Sequence, residues 1–441
     1  MQPLYNWSWV EAQVAQTIEL WSGSAASPVQ RGPRYSVNEQ QTREAAYDEG
    51  LQAVEREARR ARSIAERLSA QDRITAAFAR FSAIALGLED EAIHLLTDDF
   101  LPVGTKLARW ARAFDPDLSR ADIIQACRNG WTACGLQPLL GEPMQITPSI
   151  LGYSLLYPYS DNYLDRADIS TAAKLRFSKR FCRRLRGEKL PAQNSREAAL
   201  WSLVQLIEDE YPRLRYPQVF DSLLAIHRAQ EQSIAQLRSS DCDGAGLLRI
   251  SCAKGGSSVL ADACLARGWL SVQESQFAFE WGVLLQLGDD LQDVHEDMER
   301  GSVTLFSLAA AAGQPLDGLV RQLLGFSERV ADRMDNLPNG SEVLKQLLRM
   351  SWRSLIIGAV AEWHEFFSPE FLEEAEHCSP FRFEFLRARR KRLAGRHGLY
   401  AMLFDAFLEA REDDHDASPL AHYRQVSAPE ADFEPVPDAA S

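Results

Sequence analysis

The amino-acid sequence predicts an all-α fold. Apolar residues recur at three- and four-residue intervals through most of residues 41–409. Strict two-residue alternation is scarce, and neither a pair of strand-like runs nor a repeat of fixed length stands out. A chain of 441 residues can bury a sizeable core, and one large helical domain with extensions accounts for it.

Residues 1–40 combine Trp7, Trp9 and Trp21 with Ser22-Gly-Ser-Ala-Ala-Ser-Pro28 and Gly32-Pro33, and are expected to form an irregular arm. Helices are expected at 42–69, where charges of both signs alternate, and at 71–96, which is more apolar. The next, 119–135, has Ser119 as its cap with Asp122 behind it. Further helices fit 148–165, 170–186, 195–210, 217–237, 256–267, 271–297, 315–335, 341–365 and 380–409. Residues 410–441 are acidic and proline-containing, and read as a disordered tail.

The formal net charge of −14 argues against nucleic acid as a partner, because phosphate backbones need a basic face. It leaves room for a small anion whose charge is met locally. The seven cysteines form no CxxC pair and read as reduced, packed thiols of a cytoplasmic protein. No basic segment followed by an apolar stretch marks a signal peptide, and no apolar run reaches membrane-spanning length. Peripheral membrane contact stays open. The run Arg387-Ala-Arg-Arg-Lys-Arg392 is either a solvated face or a contact for anionic lipid.

Two acidic clusters carry the chemistry. In Phe279-Glu-Trp-Gly-Val-Leu-Leu-Gln-Leu-Gly-Asp289-Asp290-Leu-Gln-Asp293, an apolar helix ends in carboxylates, and Asp297 follows. Asp289, Asp293 and Asp297 share one helical face, with Asp290 nearby. Carboxylates at the end of a buried helix repel one another and resist desolvation, a cost that a hard divalent cation such as Mg²⁺ removes. The second cluster, Tyr157-Pro-Tyr-Ser-Asp161-Asn-Tyr-Leu-Asp165-Arg-Ala-Asp168, repeats the pattern after the apolar stretch Ile150–Tyr159. Facing each other across a bundle, the two clusters can hold metal ions that bridge one diphosphate. Positive charge for that diphosphate is available from Arg176, Lys179, Arg180, Arg183 and Arg184. It is also available from Lys254, whose following Gly255-Gly256-Ser257-Ser258 can present backbone N–H groups at a helix start.

Gly282-Val-Leu-Leu-Gln286-Leu-Gly-Asp289-Asp290-Leu-Gln-Asp293 resembles the second aspartate-rich motif of trans-prenyl diphosphate synthases. Asp161-Asn-Tyr-Leu-Asp165 is similar to the DxxxD motif of squalene and phytoene synthases. Together with Lys254-Gly-Gly-Ser257, the combination most resembles the large-terpene (class IB) synthases, the family of the tetraprenyl-β-curcumene synthases. In motif order the resemblance covers roughly residues 75–405. It implies an isoprenoid-synthase-like helical bundle with a central apolar pocket. It implies Asp161 and Asp165 on one wall and Asp289, Asp290 and Asp293 on the other as catalytic metal ligands, for a cluster of up to three Mg²⁺ ions. Lys254, Arg183, Arg184 and Gln286 then contact the substrate. Asn162, and a first motif shorter than the family's, are departures from the pattern.

The expected activity is that of a Mg²⁺-dependent terpene synthase, ionising a long-chain prenyl diphosphate to a hydrocarbon or terpene alcohol. The carbocation needs a dry, aromatic-lined cavity. Tyr153, Tyr157, Tyr159, Phe279 and Trp281 are candidates, each also a plausible core residue. The departing diphosphate can serve as the base, so no histidine is required. His295 reads as a helix-surface residue, and Arg396-His-Gly-Leu-Tyr400 as a segment that could close over the diphosphate. Head-to-head prenyl transfer and a non-catalytic isoprenoid-binding relative stay open as alternatives. Chain elongation is disfavoured by the lack of an adjacent Asp pair in the first cluster. A helical di-iron protein is the competitor from another class, because Glu91-Ala-Ile-His94 and Glu374-Ala-Glu-His377 have the E-x-x-H spacing.

Overall fold

The computed structural model describes residues 4–24, 33–60, 63–165, 168–236, 243–394 and 407–408. Among them every regular element is helical and no strand is present. The first helices are α1 (Trp7–Gly23), α2 (Val37–Arg60), α3 (Ile64–Phe81), α4 (Asp90–His94), α5 (Leu101–Phe114) and α6 (Arg120–Leu139). Then come α7 (Pro148–Asp165), α8 (Thr171–Leu185), α9 (Ser195–Glu210), α10 (Pro217–Gln236), α11 (Gly244–Arg267) and α12 (Val272–Gln292). The chain continues through α13 (Val294–Arg300), α14 (Leu305–Ala311), α15 (Asp317–Asp335), α16 (Glu342–Glu362), α17 (Pro369–Glu376) and α18 (Phe383–Ala394).

Polar caps set the starts. Ser119 begins α6 as expected. Its Oγ accepts from the Asp122 backbone N–H at 3.1 Å, and Asp122 returns a bond to the Ser119 N–H at 3.3 Å. Ser271 and Glu274 do the same for α12. The α7 and α9 ranges are those the sequence predicts.

The centre of the bundle is the pair α11 and α12, buried along most of their lengths. They approach closely because Gly255 and Gly282 face each other. A Cβ on Gly282 would lie 2.1 Å from the Gly255 carbonyl oxygen, and one on Gly255 2.5 Å from the Gly282 oxygen. Gly256 accommodates the Phe279 ring in the same way, at 2.5 Å from a built Cβ. Lys254-Gly-Gly-Ser is therefore mid-helix, its N–H groups engaged in the helical ladder. The expected phosphate cradle at a helix start is not formed. α11 begins twelve residues earlier than expected, because packing on α12 outweighs the low helix propensity of its glycines.

The N-terminal region also differs from the irregular arm expected of residues 1–40. α1 docks on the central pair. The buried Tyr5 hydroxyl lies 2.6 Å from Ser275 Oγ, and Trp9 meets Phe279 edge-on at 5.9 Å. Trp21 packs edge-on against Phe326 of α15 at 5.8 Å. α2 is anchored at the far end of the chain, where Arg382 donates to the buried Glu44 at 2.6 Å.

The basic run of α18 is not an evenly solvated stripe. Arg389 pairs with Asp48, Arg390 pairs with Glu362, and Arg387 donates to the Ala361 carbonyl at 3.1 Å. Arg396–Tyr400 and residues 410–441 lie outside the described residues. No helix of the described residues is long and apolar enough to cross a membrane. Five of the six described cysteines are buried thiols, and all six are free.

Candidate functional site

The second aspartate motif ends α12. The helix breaks at Asp293 (φ −94°, ψ 7°), where the Trp363 indole N–H takes the Gln292 carbonyl at 2.6 Å, and α13 resumes after it. Expected as one helix over 271–297, this stretch is two. The break leaves Asp289 and Asp293 at the C-terminal end of α12, the negative end of its dipole. Both carboxylates line a cavity of about 350 Å³. Burial pushes the Asp289 carboxyl up to about 6, with Asp293 and Asp290 adding to the shift and Arg128 opposing it. Burial also raises Asp293 and, outside the cavity lining, raises Asp297 to about 6. These groups are held together at an electrostatic cost that a cation would offset.

Asp290 points elsewhere. One residue along a helix is a rotation of about 100°, which turns it toward α11. There it accepts from Ser251 Oγ at 2.7 Å and from Gln286 Nε2 at 2.8 Å. It is buried and is not part of the cavity wall. Expected as a metal ligand, it instead fastens α12 to α11 and orients Gln286, which does line the cavity.

Another part of the lining comes from α7, the helix of the first motif. Tyr153, Leu156 and Ser160 line the cavity at one-turn intervals. Tyr153 OH donates to the Ser258 carbonyl of α11 at 3.2 Å. Position 161 follows Ser160 on the same helix. The Asp161 and Asp165 side chains lie outside the described residues, and Asp168 is exposed beyond the end of α7. Among the described residues no group of three or more His, Cys, Asp or Glu side chains is arranged to hold a metal ion. Asp289 and Asp293 nonetheless fit Mg²⁺ in their chemistry: hard oxygen donors, sharing a wall, with proton affinity raised chiefly by burial.

Cationic side chains stand beside them. Lys254 of α11 lines the cavity. Arg128 of α6 also lines it, with one guanidinium nitrogen 3.5 Å from Asp289. No motif surrounds Arg128 in the sequence, and only a fold that brings α6 against the end of α12 reveals it. Gln125, Asn129, His227, Gln230, Ser258 and Gln292 complete the polar lining. Phe181, Leu185, Leu223 and Ile226 supply an apolar wall from α8 and α10.

Arg183 and Arg184 do not reach this site. Arg184 is buried and holds Glu208 with two bonds, at 2.8 and 2.6 Å. Arg183 donates to Glu188 at 2.8 Å, and Arg180 holds Glu197 at 2.7 Å. Arg180 and Arg184 tie α8 to α9 and Arg183 ties it to the segment between them, while Arg176 and Lys179 are exposed. Of the aromatic candidates whose side chains are described, only Tyr153 lines the cavity. Tyr159 donates to Asp115, and Phe279 is buried between Gly256 and Trp9. Trp281 lines a separate apolar cavity of about 570 Å³ with α16 residues such as Leu348 and Trp352. The Tyr157 side chain lies outside the described residues. His295 stacks on Trp363 at 5.0 Å on the outer face of α13. The two E-x-x-H segments serve other ends, since His94 is exposed and bonds Asp98, and Glu374 pairs with Arg321.

The Asp289 environment has a measurable consequence. Without metal, the folded chain keeps its proton up to about pH 6, whereas the unfolded chain loses it near 3.8. The folded state binds more protons across that window, so this contribution to stability is full below it and is lost as pH rises through it. Asp289→Asn is therefore expected to stabilise the chain in EDTA at pH 7.5, and to lose that advantage at pH 4. Because the side chain is 45% exposed, solvent screening reduces the gain to about 1 kcal/mol. Thermal unfolding of parent and variant at the two pH values checks it.

Comparison with known proteins gives no match to any family model, to any curated protein or to any solved structure.

Proposed function

We propose that this chain is a Mg²⁺-dependent class I terpene synthase, which ionises a prenyl diphosphate and releases diphosphate with a hydrocarbon or terpene alcohol. One observation carries the reading. A single cavity is bounded by both motif-bearing helices, and its wall sets the carboxylates Asp289 and Asp293 beside the cations Arg128 and Lys254, with an apolar wall adjoining. Carboxylates and cations around one opening suit a metal-bound polyanion, and the apolar wall suits a hydrocarbon.

Asp289 and Asp293 would hold the metal from α12, with Asp161 and Asp165 as the proposed ligands from α7. When bound, Mg²⁺ supplies charge neutralisation at the diphosphate oxygens. Arg128 and Lys254 donate to the same anion and stabilise the charge that grows on it as the C–O bond breaks. Arg128 exchanges its Asp289 contact for the diphosphate. Gln286, held by Asp290, offers a further polar contact. Tyr153 and Phe181 present ring faces or edges to the cation, and Leu156, Leu185, Leu223 and Ile226 exclude water.

Calorimetric titration with inorganic diphosphate tests the anion half of the site. Binding is expected to need Mg²⁺. Arg128→Ala is expected to weaken it about tenfold, the loss of one charge-assisted contact of about 1.4 kcal/mol. Binding unaffected by Mg²⁺ and by the substitution would contradict the assignment.

A further inference from the structure

The reaction proposed above ends when a proton leaves the carbocation, and the cavity contains a side chain built to receive it. His227 of α10 is 5% exposed and forms part of the cavity wall beside Phe181, Leu223 and Ile226. Its ring meets Phe181 edge-on at 5.2 Å. Its side-chain contacts run through Nε2, and the Ser178 backbone also hydrogen-bonds the ring. Nε2 lies 3.3 Å from Ser178 Oγ of α8 and 3.7 Å from the Glu231 carboxylate one turn along α10.

Those contacts fix the tautomer. The single hydroxyl hydrogen of Ser178 is donated to the Glu231 carboxyl oxygen. Toward His227 the Ser178 oxygen therefore has only a lone pair to offer, so Nε2 carries the ring hydrogen. The basic lone pair is then on Nδ1. Burial holds the imidazole below its ordinary range; Glu231 and the Ser178 backbone hydrogen bond work against that, and Arg186 with it. The ring is thus uncharged at neutral pH and able to accept a proton.

We propose that His227 is the terminal base, acting through Nδ1, with Ser178 and Glu231 as its positioning residues. After diphosphate has departed, a C–H bond on a carbon adjacent to the cationic centre breaks. Its electron pair becomes the new C=C π bond, and the proton passes to Nδ1. The resulting imidazolium is balanced by Glu231. The inference rests on the terpene synthase reading, and it replaces the diphosphate as the expected base. Glu231 and Ser178 lie outside the cavity lining, so they act through His227.

The test uses the full chain, Mg²⁺, and prenyl diphosphates from C10 to C35, with diphosphate release and hydrocarbon products measured separately. For His227→Gln and His227→Phe, the products are scored per diphosphate released, so that any change in ionisation rate is separated from the fate of the cation. The share of the parent's main olefin is expected to fall by about tenfold or more, the low end of general-base contributions. Alcohols from water capture, or olefins from proton loss elsewhere, take its place. Ser178→Ala, which removes one hydroxyl, is expected to move the products the same way by a smaller factor. It keeps the test decisive if the His227 variants do not fold. Unchanged product ratios in a folded His227 variant, or in Ser178→Ala where neither His227 variant folds, overturn the role of His227 and leave the synthase reading standing. No Mg²⁺-dependent diphosphate release from the parent overturns both.

Discussion

Asp289→Ala and Asp293→Ala are each expected to lower Mg²⁺-dependent diphosphate release on the order of 10²–10³-fold, the scale of losing one pre-set electrostatic contact to a developing charge. The two carboxylates line the cavity from successive turns at the end of α12. Neither is needed to hold the helix: their removal takes negative charge away from its negative end. Both variants should therefore fold and, without metal, melt no lower than the parent. Loss of activity with retained stability separates ligation from architecture. Asp290→Ala should behave in the opposite way. Its carboxyl accepts from Ser251 at 2.7 Å inside the α11–α12 interface, so its loss destabilises by about 1–3 kcal/mol, as expected when buried donors are left unmatched. Turnover assays and melting curves on the three variants distinguish the two roles.

Gly282→Ala is expected to cost about 3 kcal/mol of stability or more. The added methyl would meet the Gly255 carbonyl oxygen at 2.1 Å. Backbone cannot swing aside as a side-chain tip can, so α11 and α12 must part, and overpacking in a tight interface costs at least the usual 1–3 kcal/mol or so. The consequence reaches the site. Gln286 and Asp289 lie one and two turns along α12, and Lys254 neighbours Gly255 on α11, so the variant should lose turnover as well. Gly318→Ala, in α15, is the matching control. Nothing lies within 4 Å of its built Cβ, and a stability gain of about 0.5–1 kcal/mol is expected from the better helix former. Denaturant unfolding of both variants measures the contrast.

The sequence disclosed most where a local pattern had one meaning. Carboxylates at i and i+4 in Asp289 and Asp293 share a face, and the structure brings that face to a cavity. The Ser119–Asp122 capping box and the α7 and α9 boundaries were legible for the same reason. Reading failed where one residue type serves two ends. Glycines in Lys254-Gly-Gly-Ser suit a phosphate cradle or a close helix crossing, and only the position of Gly282 on a neighbouring helix decides between them. Trp7, Trp9 and Trp21 amid small polar residues suit an arm or a docked helix. The decision came from Ser275, Phe279 and Phe326, more than two hundred residues away. Arginines in α8 resemble a phosphate-binding face until Glu197 and Glu208 are seen beneath them. Arg128 and His227 carried no signal at all, because each belongs to the site only through tertiary packing.

The most direct test of the account is diphosphate release by the purified full chain from prenyl diphosphates of C10 to C35, with Mg²⁺ or with EDTA, followed by extraction and mass spectrometry of the products. The account predicts release that requires Mg²⁺, accompanied by a hydrocarbon or terpene alcohol. Folded protein that releases no diphosphate from any of these substrates in the presence of Mg²⁺ would contradict it.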